Sequence, residues 1–268
     1  MGRTRIIVAG ACGSMGRVTL KTIMKTPSLK LVGAVDRNKV GTDVCELIDC
    51  KSSGVLITEE IPKITDGYDP IVLVDFTRAE VAVQNVYTCL DYGYYAIIGT
   101  TGIDEDIIEE LKLKAEESRI GVLIAPNFAI GAVLMMKFAK IAAQYMSYSE
   151  IIEQHHDKKI DAPSGTALMT AQIISEVQKN STKGKNKELL KLQGVRGGNL
   201  DGVAIHSMRL PGFLAHHTVI FGDIGQRLTL KHDSINRESF MPGVILAIEE
   251  IIKIKGLYLG LENLMKWN

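Results

Sequence analysis

The sequence predicts an α/β protein, with a Rossmann-like, doubly wound parallel sheet plus a smaller α+β unit built on a mixed or antiparallel sheet. Three observations predict it. Apolar runs at Arg5–Ala9, Leu29–Val35, Ile71–Asp75, Tyr95–Gly99 and Gly121–Ala125 are continuous rather than alternating, as strands buried on both faces are. Helical stretches at Ser14–Lys25, Ala79–Tyr92 and Asp104–Ser118 lie between several of them, which is strand–helix alternation. Further on, Gly202–Arg209, His216–Phe221 and Arg227–His232 alternate polar with apolar and are grouped together, the pattern of antiparallel strands. Pro163–Val177 and Phe240–Ile252 read as helices, and Lys179–Gly198 as an exposed loop rich in Lys, Gly, Asn and Ser.

The 268 residues suffice for one large or two small domains. Lys and Arg total 31 and Asp and Glu total 31, so the net charge is zero. That balance argues against nucleic acid or an anionic membrane as partner, since both reward a basic surface. Cys12, Cys45, Cys50 and Cys89 are too few and too scattered for a disulfide framework, and a reducing compartment is expected. The longest charge-free apolar run, Gly121–Met136, contains Pro126 and Asn127 and is shorter than the roughly 20 residues of a spanning helix. Ile6–Ala9 is too short for a signal core, and Ile6 breaks a myristoylation pattern. The expected location is the cytoplasm.

Gly10, Ala11, Cys12, Gly13, Ser14, Met15 and Gly16 follow the first strand and open the first helix. Glycine lets backbone turn tightly and approach a pyrophosphate, and the helix start offers free N–H groups. The spacing is a G-x-x-G-x-x-G variant of the dinucleotide fingerprint. Asp36, 20 residues past Gly16, suits the ribose hydroxyls of NAD, whereas Arg37 suits a 2′-phosphate. NADH and NADPH both remain open. Gly99, Thr100 and Thr101, and then Ala125, Pro126, Asn127 and Phe128, follow later strands, at the ends where such sheets bind ligands. Cys12 at a helix start is expected to have a lowered thiol pKa.

All six histidines fall between His155 and His232. The densest stretch, Glu153–Ala167, joins residues suited to proton transfer with lysines and a helix start. Ser164, Gly165 and Thr166 begin that helix, where backbone N–H groups hold carboxylates. Lys159 adds positive charge. Metal-ligand spacing of the H-E-x-x-H kind is absent, so no metal is expected. His216 and His217 fall in a predicted strand and point to opposite faces, at least one toward solvent.

These residues resemble the 4-hydroxy-tetrahydrodipicolinate reductase (dihydrodipicolinate reductase) family over the full length. The specific match is the E-x-H-H-x-x-K-x-D-A-P-S-G-T-A segment at Glu153–Ala167. Val8–Arg17, Val74–Thr77, Gly99–Gly102, Asn127-Phe128, His206–Gly212 and His232–Ser234 with Arg237 also match. The resemblance implies a nucleotide domain from residues 1–126 and 238–268. It implies a substrate-binding and tetramerisation domain at 127–237. It implies NADH- or NADPH-dependent reduction of a cyclic dicarboxylate imine in diaminopimelate and lysine synthesis, by a homotetramer. His155 would donate the proton, assisted by Lys159. His156, Ser164, Gly165 and Thr166 would hold the carboxylates, and Arg37 would meet a cofactor phosphate. Family members vary in cofactor preference, so Asp36-Arg37 does not decide it. Three other readings stand beside this one. A non-catalytic NAD sensor would need neither His155 nor Lys159. A cysteine-dependent aldehyde dehydrogenase would need a thiol beyond Cys89. A metal hydrolase would need a metal.

Overall fold

The computed structural model describes residues 2–67, 69–178 and 189–267. The chain divides into two compact units, Met1–Phe128 with Phe240–Asn268, and Ala129–Ser239. The first unit begins β1 (Thr4–Ala9), α1 (Ser14–Lys25), β2 (Leu29–Val35), α2 (Cys45–Ile48), β3 (Ile57–Thr58), β4 (Ile71–Asp75), α3 (Ala79–Tyr92), β5 (Tyr95–Ile98), α4 (Glu105–Ser118) and β6 (Gly121–Ile124). The second holds α5 (Ile130–Ala142), β7 (Tyr148–His155), α6 (Gly165–Gln178), β8 (Gly198–Leu200), β9 (Val203–Arg209), β10 (Ala215–Asp223) and β11 (Gln226–Ser234). The chain then returns to the first unit with α7 (Met241–Ile251) and β12 (Gly256–Leu259).

In the first unit all seven strands are parallel, in the order β12-β6-β5-β4-β1-β2-β3. Six of them follow the doubly wound order 3-2-1-4-5-6. All five residues of β4 are buried, which is why its sequence lacks alternation. Ile7, Leu73, Ala96, Ile98 and Val122 form the middle of the core under α3 and α4. Each of the larger side chains among them, Ile, Leu or Val, contributes roughly 1.5–3 kcal/mol on full burial. The order of the chain reverses direction beside β1 and β4, so their carboxyl ends open a crevice.

In the second unit the order is β11-β10-β7-β9-β8. The β7–β9 pair is parallel and the other pairs antiparallel, so the sheet is mixed. Residues 149, 151 and 153 of β7 are buried while their neighbours are partly exposed, so helices α5 and α6 cover one face. Glu153 stands opposite His217 and Ser207, and His155 opposite Ala215 and Arg209.

Several elements escape a reading of the sequence. The Gly121–Met136 run is split between β6 and α5 by the turn at Pro126-Asn127. No helix among the described residues is long and apolar enough to cross a membrane. β7 is hidden by its polar residues, and α2, β3, β8 and β12 are four residues or fewer. Of the expected loop at 179–198, residues 179–188 lie outside the described residues, and β8 takes up its end. The expectation that the cysteines stand apart is corrected: Cys45 and Cys50 form a disulfide. The single turn of α2 ends at Asp49 in a left-handed conformation (φ 54°), which returns Cys50 to Cys45.

Candidate active site

In the first unit the glycine loop closes on itself. Gly10 has φ of +73°, where a side chain is strained. The Gly13 N–H donates to the Gly10 carbonyl at 3.0 Å, and Gly13 is the N-cap of α1. A Cβ at Gly16 would collide with the Gly10 carbonyl oxygen and stand 2.8 Å from Ala11 Cα. The helix therefore starts tight against the strand, with Ser14 and Met15 in its first turn.

A cleft of about 740 Å³ opens beside this loop, lined among others by Gly10, Gly13, Asp36, Arg37 and Arg78. The Asp36 carboxylate is fixed by the backbone N–H of Cys12 (2.9 Å) and of Asn38 (2.9 Å). Thus Asp36, Arg37 and the glycines do come together. Arg78, the N-cap of α3, lines the same cleft and sequence reading missed it, since nothing in its local spacing marks it. The buried Asp75 carboxylate accepts from Thr77 N–H and Oγ1–H (2.6 Å each) and from Asn85 (2.7 Å), pinning the loop before Arg78. Burial raises its pKa above the usual carboxylate value despite these bonds.

Gly99 follows β5 and donates to the Asp75 carbonyl at 2.8 Å, while Ala125 follows β6 and donates to Ile98 at 2.9 Å. Phe76 and Phe128 meet edge to face at 5.9 Å. A Cβ at Gly99 would collide with Phe76. The loops carrying Gly99, Thr100 and Thr101, and Ala125, Pro126, Asn127 and Phe128, therefore lie at the same edge as the glycine loop.

The expected acidic thiol at Cys12 is corrected. Burial, followed by the neighbouring Asp36 charge, raises its pKa. Gly13 rather than Cys12 caps the helix, and the Cys12 thiol donates to the Asn38 carbonyl at 3.3 Å.

In the second unit the centre is Glu153, fully buried and absent from the residues singled out as functional. Arg209 grips it with two nitrogens, at 2.9 Å and 2.8 Å. His155 Nδ1 meets it at 2.5 Å, and the Ser164 N–H donates to it at 3.3 Å. Burial pushes its pKa up, but hydrogen bonds from His155, Arg209 and Ser207 outweigh this and hold it at about 2. Arg209 also donates to the Asp161 carbonyl at 2.7 Å, tying β9 to the segment that carries Lys159. A fully buried acid beside a histidine is the one signal in the sequence that alternation along β7 would have exposed.

Ser164 caps α6, its hydroxyl accepting the Ala167 N–H at 3.3 Å. A Cβ at Gly165 would meet nothing within 4 Å, so the helix start faces open space. Thr166 follows in the first turn. His156 Nδ1 is buried with no partner among the described residues. Lys159 Nζ holds the Asp161 carboxylate at 2.7 Å and 2.8 Å. His216 and His217 point to opposite faces, but neither is freely exposed. His217 is 5% exposed, and His216 Nδ1 bonds Asp233 at 2.7 Å. Among the described residues no cluster of metal-binding side chains forms.

Family models for dihydrodipicolinate reductase match both parts of the chain, the N-terminal one over residues 4–128 and the C-terminal one over 131–265. The 4-hydroxy-tetrahydrodipicolinate reductase of Desulfitobacterium hafniense is 45% identical over 268 residues, 99% of this chain and all of the relative. That of Syntrophomonas wolfei is 47% identical over 98% of this chain and 99% of the relative. Among solved structures, dipicolinate-bound dihydrodipicolinate reductase from Paenisporosarcina sp. TG-14 superposes with a TM-score of 0.85 at 40% identity, covering 98% of this chain and all of that one. The chain thus belongs to the 4-hydroxy-tetrahydrodipicolinate reductase family, NAD(P)H-dependent oxidoreductases of lysine and diaminopimelate biosynthesis.

Proposed function

We propose that the second unit binds the dicarboxylate 4-hydroxy-tetrahydrodipicolinate and that His155 protonates it. The observation that carries this reading is the placement of His155 on Glu153, which also holds the capped start of α6 through Ser164. The N–H groups of Gly165 and Thr166, at a helix N-terminus open to solvent, suit a carboxylate. The Ser164 hydroxyl and the His156 Nδ1, which has no partner among the described residues, add polar atoms. The Paenisporosarcina relative holds dipicolinate, a planar ring with two carboxylates. The Lys159 ammonium is paired with an exposed Asp161, a partner that an anionic substrate displaces. Its charge then stabilises the electron density that develops as the ring is reduced.

The first unit fits a dinucleotide. The glycines leave no room for side chains, and the cleft at the carboxyl ends of β1 and β4 is flanked by the Gly13–Gly16 helix start. Backbone N–H groups there would hold the pyrophosphate, Asp36 the ribose and Arg37 a 2′-phosphate, with Gly99–Thr101 and Ala125–Phe128 bordering the nicotinamide. When bound, the cofactor supplies a hydride. Because Asp36 and Arg37 line one cleft, both NADH and NADPH serve. Tyr148, Ile152, Met208 and Ile220 alternate onto the sheet face away from the two helices, which supports assembly into a homotetramer through that face. The biosynthetic role of the family supports a cytoplasmic location.

A coupled assay tests the reading: the substrate is generated by its synthase and nicotinamide absorbance is followed with each cofactor. Consumption dependent on the synthase product is expected. No consumption with either cofactor sinks the reading.

A further inference from the structure

We propose that Glu153 is the positioning residue for the proton donor: it holds the Nδ1–H of His155 in both ring states, so that the imidazolium gives its Nε2 proton to substrate and is left as the Nδ1–H tautomer, to be reprotonated at Nε2 from solvent. The proposal rests on His155 being the donor and deepens that assignment.

The argument starts from the donors around the carboxylate. Both oxygens of Glu153 receive Arg209 nitrogens, at 2.8 Å and 2.9 Å, and Oε1 also receives the Ser164 N–H at 3.3 Å. A guanidinium and a backbone amide can only donate. An acid so gripped is ionised and has no proton to give. At the 2.5 Å contact, His155 Nδ1 must therefore be the donor. The ring is anchored on that side, and Nε2 is the nitrogen left to exchange a proton.

The register explains why this arrangement holds. Glu153 and His155 lie two residues apart on β7, hence on one face, and Arg209 faces His155 across the parallel β7–β9 pair. Arg209 also donates to the Met208 and Asp161 carbonyls, each at 2.7 Å. The carboxylate therefore cannot swing without breaking its bonds to Arg209 of β9 and to the start of α6, and Arg209 is itself held by the Asp161 segment. A histidine fixed by a carboxylate that is itself fixed keeps its Nδ1–H and its aim through turnover.

Two measurements test this. The first is ¹⁵N NMR of the ring nitrogens of His155 in the wild-type protein at alkaline pH, assigned by their loss in His155→Ala. A protonated Nδ1 with a bare Nε2 is expected, and a protonated Nε2 with a bare Nδ1 overturns the proposal. The second is a double-mutant cycle with Glu153→Asp, which keeps the charge but withdraws the carboxylate. In the wild-type background kcat should fall about 10–100-fold, the worth such outer partners have where they orient metal-bound histidines, with KM for substrate unchanged. In His155→Ala the same change should cost nothing further. Equal losses in both backgrounds overturn the proposal, while a wild-type rate for His155→Ala sinks the donor assignment itself and the role of Glu153 with it.

Discussion

The two units build their sites from different materials. In the first, the decisive groups are backbone: glycine φ angles, a helix start, and amides holding Asp36. In the second, side chains do the work. Glu153, His155 and Arg209 come from two strands that lie 56 residues apart in sequence for the Glu153–Arg209 pair. The glycine loop at Gly10–Gly16 is encoded within seven consecutive residues and tolerates few changes of shape. A side-chain site is assembled by register and is sensitive to charge. The contrast predicts that substitutions in the second unit act on chemistry and pH response, whereas those in the first act on cofactor binding and fit.

The largest expected effect is on turnover. His155→Ala should lower kcat by roughly 10²–10⁴-fold, the usual worth of a positioned acid. Cofactor affinity, measured by fluorescence titration, should stay unchanged because the residue belongs to the other unit. A parallel loss of cofactor binding would break the division of labour.

Next comes pH. Burial lowers the pKa of His217 to about 4, although the Glu153 charge opposes it. The unfolded chain, with a histidine pKa of about 6.5, then binds more protons than the fold between those values. Stability contributed by the neutral ring is present above about pH 6.5 and is lost as pH falls toward 4, by on the order of 3 kcal/mol. Chemical denaturation from pH 7 to 4 should show that slope. His217→Phe should flatten it, and an unchanged slope in this variant would assign the loss to other groups.

Fit is sharper in the first unit. Gly16→Ala forces a methyl group against Gly10 and Ala11, and should cost about 1–3 kcal/mol of stability, as overpacking does. Cofactor binding should weaken with it. Gly165→Ala meets open space, so its melting temperature should stay close to wild type while KM for the dicarboxylate rises.

Smaller again is the effect of Arg37→Ala. It should weaken NADPH about 10-fold, in the range of a hydrogen bond to a charged group, and NADH hardly at all. Equal weakening would show that Arg37 does not read a phosphate. The smallest effect belongs to Cys12, whose raised pKa keeps the thiol protonated. Cys12→Ala should change the rate of alkylative inactivation at pH 7 by less than about twofold, because the thiolate is the reactive form. A markedly slower inactivation would make Cys12 the sensitive thiol after all.

By itself, the sequence determined the parallel unit. Continuous apolar runs need two covered faces, and the helices Ser14–Lys25 and Ala79–Tyr92 stand where their periodicity places them. It also brought forward the glycine loop and Glu153–Ala167 as candidate site segments, because each is local in the chain. Tertiary structure alone decided the rest. Glu153 stands between His155 and Arg209 only through the β7–β9 register, and Arg78 enters the cleft only because β4 lies beside β1. The Cys45–Cys50 disulfide depends on one left-handed residue, Asp49. The pKa of Cys12 is raised rather than lowered because the thiol is partly buried and because Asp36, 24 residues away, folds back against it. Local spacing fixes backbone conformation, since those forces act within a few residues. Burial and charge pairing are sums over neighbours from distant strands, and they exist only once the sheets have formed.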